Sequence, residues 1–288
     1  MIGVRFALYA DLMLLFGLPL FALYAPGGRD CAGVNKMVLS ALALAGIALS
    51  LVSIAIMTAS MAGVPLAQVD PATIRMMVTD TPMGQAWAVR MIALVVLLGV
   101  VSVLHRAFAV AALLAALALG SLAWTGHGAA GEGNAGTLQL VADIAHMLAA
   151  AAWIGALVGL GAMVFGKSHS KTAHAALDQF SRAGSIIVGV VIVSGLVNSA
   201  YLVGVSHLTE LPSTPYGQLM IVKLVLFAGM LGLAALNRFR LTPALAPLAG
   251  EAPSLAALRL SLMLETGAAT AILALVAWIG TLQPPMAM

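Results

Sequence analysis

The sequence predicts an all-α integral membrane protein with eight transmembrane helices in two parallel four-helix repeats. Three observations carry this reading. The 288 residues are 62% hydrophobic and only 8% charged, whereas a water-exposed domain carries roughly 25% charged residues. The mean hydropathy is +1.08. The apolar residues gather into eight runs, each close to the ~20 residues a helix needs to cross hydrocarbon. A chain this poor in charge cannot cover a soluble surface, so the lipid bilayer is its first partner. The net charge of +3 gives no reason to invoke nucleic acid, because Lys and Arg in membrane proteins chiefly set loop orientation. The single cysteine, Cys31, excludes an internal disulfide framework and a Cys-based zinc site.

The runs cover 4–24, 37–60, 83–104, 107–125, 138–165, 179–204, 215–237 and 258–281. The first reads as a retained helix rather than a cleaved signal: it is long, Asp11 interrupts it, and Pro26 blocks the small-residue cleavage site. The loop after the second run, 61–82, contains PATIRMMV, expected to form a short interfacial helix. The third run opens with TPMGQAWAVR (81–90) and the seventh with TPYGQLMIVK (214–223). In both, Thr suits the N-cap, Pro the first helical position and Gly a close approach of neighbouring backbone. The fourth run ends in AWTG (123–126) and the eighth in AWIG (277–280). The loop GHGAAGEGNAG (126–136) is glycine-rich.

Lys and Arg set the orientation. The turns after runs 1, 3, 5 and 7 hold Arg29, Lys36, Arg106, Lys167, Lys171, Arg182, Arg238, Arg240 and Arg259, whereas the opposite turns hold only Arg75. The positive-inside rule puts the first set in the cytoplasm and both termini in the periplasm. The TPxGQ phrase, SIAIMTASMAG (53–63) against SGLVNSAYLVG (194–204), and YADLM (9–13) against VADIA (141–145) suggest two halves of the same orientation. The expected division is 1–126, a periplasmic Gly-rich loop at 127–136, and 137–288. Parallel repeats place a site between their halves.

Arg90 and Lys223 lie roughly 12 Å into their helices, counting ~1.5 Å per residue. A charge at mid-span costs about 2.5–3.5 kcal/mol on insertion scales, so both should face the protein interior and find partners. The embedded acids are Asp11, Asp143 and Glu265. Asp11 and Asp143 take matching places in the two halves. These charges either pair to fix helix register or shape the field around a transported ion or an anionic cofactor.

His146 lies one turn after Asp143, and both project from one helical face with Ala150 and Trp153. His127 closes run 4. Met57 and Met61, spaced i,i+4, share a face at the end of run 2. Imidazole and thioether together suit Cu(I) or Cu(II). Each also has a plainer reading, as packing methionines or as interfacial and core histidines. His105, His169, His174 and His207 read as loop residues. No GxxxxGK[ST] motif occurs, which argues against ATP-driven pumping.

TGHGAA (125–130), DIAHMLAAAAWIGAL (143–157), FSRAGSIIVGVVIVSGLVNS (180–199), TPYGQLMIVKLVLF (214–227), ALNRFRLTP (235–243) and GTLQPP (280–285) together resemble the copper resistance protein D (CopD/PcoD) family. The resemblance covers most of the chain and is strongest from about 120 to 285. It implies a non-enzymatic copper transport protein of the bacterial inner membrane, an importer served by a separate periplasmic copper-binding protein of the CopC type. His127 and His146 match the family's histidine-bearing motif. Met57 and Met61 rest on ligand chemistry alone, with Asp143 and Asp11 as orienting or charge-balancing acids. Two alternatives stand beside this. The four-helix unit also resembles a haem-using membrane protoporphyrinogen oxidase family, which would make His127 and His146 axial ligands of haem b, with Arg90 and Lys223 near the propionates. The other alternative is a non-transporting protein that docks or senses a periplasmic copper carrier.

Overall fold

The computed structural model describes residues 1–27, 34–104, 107–126, 133–166, 170–242 and 251–285, leaving aside the side chains of 170–174, 205–208 and 251–254. The described residues form helices α1 (Ile2–Tyr24), α2 (Lys36–Ala62), α3 (Pro71–Asp80), α4 (Pro82–Val103) and α5 (Phe108–Gly120). They continue with α6 (Gly133–Phe165), α7 (Ser170–Leu202), α8 (Pro215–Leu236) and α9 (Glu251–Ile279). All but α3 are long and apolar enough to cross a membrane, α5 by running on into a 3₁₀ turn at Ser121–Thr125, so eight spans match the eight apolar runs. The short α3 is the helix expected in the 61–82 loop, N-capped by Asp70 with Pro71 in its first turn.

The repeated phrase folds the same way twice. Thr81 Oγ1 accepts from Gly84 N at 3.0 Å, and Thr214 Oγ1 from Gly217 N at 3.1 Å. Each cap satisfies one of the N–H groups that a helix start leaves unpaired. The glycine does not admit a neighbouring transmembrane helix. It admits the segment that leads into its own helix. A Cβ on Gly84 would lie 2.5 Å from Val78 Cα, and one on Gly217 2.6 Å from Leu211 Cα. The phrase therefore encodes a capped, tightly folded approach to a transmembrane helix.

The first four spans close into a ring, in which α1 packs on α2, α2 on α4, α4 on α5 and α5 back on α1. In the remaining four, α6 packs on α7 and α9, and α8 on α9; no comparable contact closes α7 against α8 among the described residues. The two sets meet mainly through α1 against α6, supported by α1 on α9. At the centre of that meeting, Gly17 and Gly155 bring the two backbones together: a Cβ on Gly17 would lie 2.8 Å from Gly155 Cα. Phe21 fills the space left by Gly159 one turn further on.

The start of α1 and the end of α9 lie on one face, here called the terminal face. Arg5, in the first turn of α1, donates to the carbonyls of Gly280 (2.6 Å) and Thr125 (3.1 Å). Those carbonyls belong to the AWIG and AWTG endings of the eighth and fourth spans. One guanidinium thus ties together the ends of three helices.

Candidate metal centre

His146 sits on α6 about two-fifths of the way along the helix, half-buried between helices. Its Nδ1 lies 3.2 Å from the Val191 carbonyl and 3.1 Å from Ser194 Oγ, both on α7. A carbonyl can only accept. The Ser194 hydroxyl hydrogen is already given to the Val190 carbonyl, so Oγ faces the ring as an acceptor too. Nδ1 therefore carries the hydrogen, and Nε2 carries the lone pair. This is the tautomer that a metal-ligating imidazole needs, with the non-ligating nitrogen anchored to backbone and hydroxyl.

Asp143, one turn earlier, accepts from Asn198 Nδ2 at 3.4 Å. The two contacts form successive rungs between antiparallel helices, Asp143 with Asn198 and His146 with Ser194. Gly195 makes room for the ring: a Cβ there would lie 3.3 Å from His146 Cε1. Lys223 of α8 lies within electrostatic reach of both Asp143 and His146. Tyr9 of α1 lies within reach of Asp143 from the other side, and also of Arg5 and Arg90. The cluster therefore combines an imidazole, a carboxylate, an ammonium, an amide and a hydroxyl within one membrane-embedded region.

The other expected site residues differ in setting. Met57 is half-buried and lines a small cleft with Arg5, Tyr9, Ser53 and Thr125, whereas His146 takes its hydrogen-bonding partners from α7. Met61, one turn further along α2, is 66% exposed and does not share that enclosure. His127, like His105 and His169, lies outside the described residues, as do the side chains of His174 and His207. Among the described residues, no three His, Cys, Asp or Glu side chains converge as a metal-binding group. The expected location between the two halves is met in part by the described groups, because Tyr9 of α1 reaches Asp143 across the α1–α6 meeting. Asp143, His146, Ser194, Asn198 and Lys223 belong to α6–α8, and Tyr9 approaches them from α1.

The embedded charges face inward as expected, but they do not pair as simple ion pairs among the described residues. Arg90 is only 1% exposed, yet its Nε and Nη1 have no hydrogen-bond partner. Asp11 Oδ2 is likewise buried and unpartnered, lying against the Cα of Gly46. Ser194, Asn198, Tyr9 and Arg5 were not singled out from the sequence as site residues. For Ser194 and Asn198 a signal was present, since two polar residues four apart in an apolar run mark an interhelical face.

Residues 1–137 match the copper resistance protein D-like, N-terminal domain, and residues 174–279 match copper resistance protein D. Over 99% of its length the chain is 41% identical to copper resistance protein D of Pseudomonas syringae pv. tomato, covering 97% of that protein. The chain belongs to the copper resistance protein D family. Partial likenesses extend the picture. Copper transport protein CutJ of Bacillus subtilis is 33% identical over 118 residues, 40% of this chain and 21% of that protein. Inner membrane protein YebZ of Escherichia coli is 32% identical over 124 residues, 42% of each chain. No solved structure matches the chain.

Proposed function

We propose that this protein carries copper across the bacterial inner membrane, taking the ion from the periplasm at the terminal face and passing it inward past His146. The observation that carries the reading is the contact of His146 Nδ1 with the Val191 carbonyl and Ser194 Oγ, which favours the hydrogen on Nδ1. Val191 and Ser194 hold Nδ1–H, so Nε2 is left as a lone-pair donor inside the membrane. Asp143 one turn away offsets part of the ion's charge, and Lys223 limits how tightly a cation is held. A transport site needs that balance, because an ion bound too tightly does not leave. His127 and Met57 are candidate companions at the terminal side.

The orientation rests on the Lys/Arg asymmetry, with the terminal face periplasmic. A two-fold repeat of four helices rests on the shared TPxGQ caps and on the placement of Asp11 and Asp143. A CopC-type periplasmic protein would deliver the ion. The names of the relatives support copper handling and an inner-membrane location for this chain. The deciding experiment measures copper uptake into vesicles of known orientation. Wild type should accumulate copper and His146→Ala should not, at equal protein content. Normal uptake by His146→Ala would move the site elsewhere, and a haem absorption spectrum lost in that variant would replace transport with redox chemistry.

A further inference from the structure

Glu265 is an embedded acid that the proposed copper site does not use, as is Asp11. It lies mid-way along α9 and is 1% exposed. Asn237 Nδ2 of α8 donates to its Oε1, and Ser261 Oγ, one turn earlier on α9, donates to the same oxygen at 3.4 Å. Asn237 Oδ1 is buried and has no hydrogen-bond partner. Asn237 also opens a π turn, Asn237–Leu241, a departure from α geometry that recurs at functional sites.

Charged groups on the helices packed around Glu265 do not neutralise it. Arg259, on α9 itself, gives its guanidinium to the Val164 carbonyl. Arg238 bonds Ser185 and stacks on Phe239, and Arg240 is exposed. Lys223 is 14 residues before Asn237 on the α8 line, about 21 Å away at ~1.5 Å per residue. On α1 the charged groups are Arg5 and Asp11, and on α6 Asp143, with His146 beside it. None of these, among the described residues, makes a hydrogen bond or ion pair with Glu265.

A carboxylate enclosed in the membrane without a cation is costly. An amide whose N–H faces that carboxylate, and whose oxygen is buried without a donor, lacks one hydrogen. A proton on Glu265 supplies it: a carboxylic acid and a primary amide pair reciprocally, N–H to carboxyl oxygen and O–H to amide oxygen. We propose that Glu265, Asn237 and Ser261 form a proton-binding site, separate from the copper site and nearer the face opposite the termini. Between the two regions stand Trp153 and Phe227 in edge-to-face contact, with ring centroids 6.0 Å apart. Proton exchange at Glu265 accompanies copper movement, a coupling that rests on the transport reading; the proton site itself does not.

Infrared spectroscopy of the full-length protein in lipid nanodiscs tests the site without copper. Wild type should show, at neutral pH, a carboxylic-acid C=O band that shifts in deuterated buffer and disappears in Glu265→Gln. Asn237→Leu, which keeps the acid and removes its amide partner, should retain the band at higher wavenumber. A wild-type band that is unchanged in Glu265→Gln overturns the proposal, as does its absence from wild type. In copper-loaded vesicles, Glu265→Gln should lose copper-dependent proton movement; movement of wild-type size in that variant overturns the coupling while leaving copper transport intact.

Discussion

Arg5 and Gly280 are 275 residues apart in sequence, and the Arg5 guanidinium donates to the Gly280 carbonyl at 2.6 Å. The same side chain reaches Thr125. A charged hydrogen bond contributes about 1.5–3 kcal/mol when partly buried. Arg5→Ala should therefore lower the unfolding temperature in detergent, with Arg5→Lys recovering only part of it because one ammonium replaces a planar fork. Equal unfolding temperatures for wild type and Arg5→Ala would show that the clasp is not a stabilising element.

Ser194 Oγ lies 3.1 Å from His146 Nδ1, the nitrogen that does not face the proposed ion. Ser194→Ala should keep the protein folded while weakening copper affinity by about 10–100-fold, the usual cost of losing a group that orients a ligand. His146→Ala should lose binding at this site altogether. Copper titration of the two purified variants separates the roles, and equal affinities for Ser194→Ala and wild type would refute the anchoring role.

Met57 and Met61 differ in setting despite their helical spacing. Met61→Leu, at an exposed position, should leave copper uptake unchanged. Met57→Leu keeps the volume and removes the sulfur in the cleft beside Tyr9, so it should slow capture at the terminal face without abolishing uptake. Loss of uptake in Met61→Leu would contradict this division.

Thr81 and Thr214 cap corresponding helices. Thr→Val at either position keeps the shape and removes the acceptor, and should cost about 1 kcal/mol. The two substitutions lie in separate helices and should add when combined. Thermal unfolding of the single and double variants checks both the size and the additivity.

Arg90 is buried with two donor atoms unpartnered. Arg90→Ala should destabilise the protein by about 2–5 kcal/mol, through the cavity that a large buried side chain leaves. Arg90→Met, which refills the space without charge, should recover most of the loss, since replacing buried charge by a well-packed apolar group is often neutral. Failure of Arg90→Met to recover would point to a bound polar partner for the guanidinium.

The spans were legible because each is an uninterrupted apolar run bounded by Gly, Pro or charge, and hydrocarbon thickness fixes the run length. Thr before Pro in the repeated phrase revealed two helix starts through their caps, whereas Asp70 as the cap of α3 emerged only from the structure. His146 and Asp143 were legible because imidazole and carboxylate one turn apart are rare in a lipid-facing sequence. Their partners were not. Which helix lies beside α6 depends on packing, so Ser194 and Asn198 were visible as polar residues but not as rungs to His146 and Asp143. The role of Gly17 was hidden for the same reason: one glycine among 29 marks a backbone contact only once Gly155 is opposite it. The division of Met57 from Met61 depends on where the α2 face meets α1, which the i,i+4 spacing does not encode.

The meeting of Gly17 with Gly155 has an electrical meaning. A protein that handles a scarce metal in an energised membrane must not short-circuit the far more abundant protons and potassium. With α1 and α6 touching backbone to backbone, there is no lumen along that seam at its centre for water to thread. The seam acts as a gasket. On the proposed transport reading, a conduit would run through one bundle rather than down the centre of the dividing line, and among the described residues the bundle with no close α7–α8 packing is the one that carries His146. A side chain larger than hydrogen at Gly17 or Gly155 would wedge the gasket, and the first sign would be leakage of the membrane potential rather than loss of copper binding.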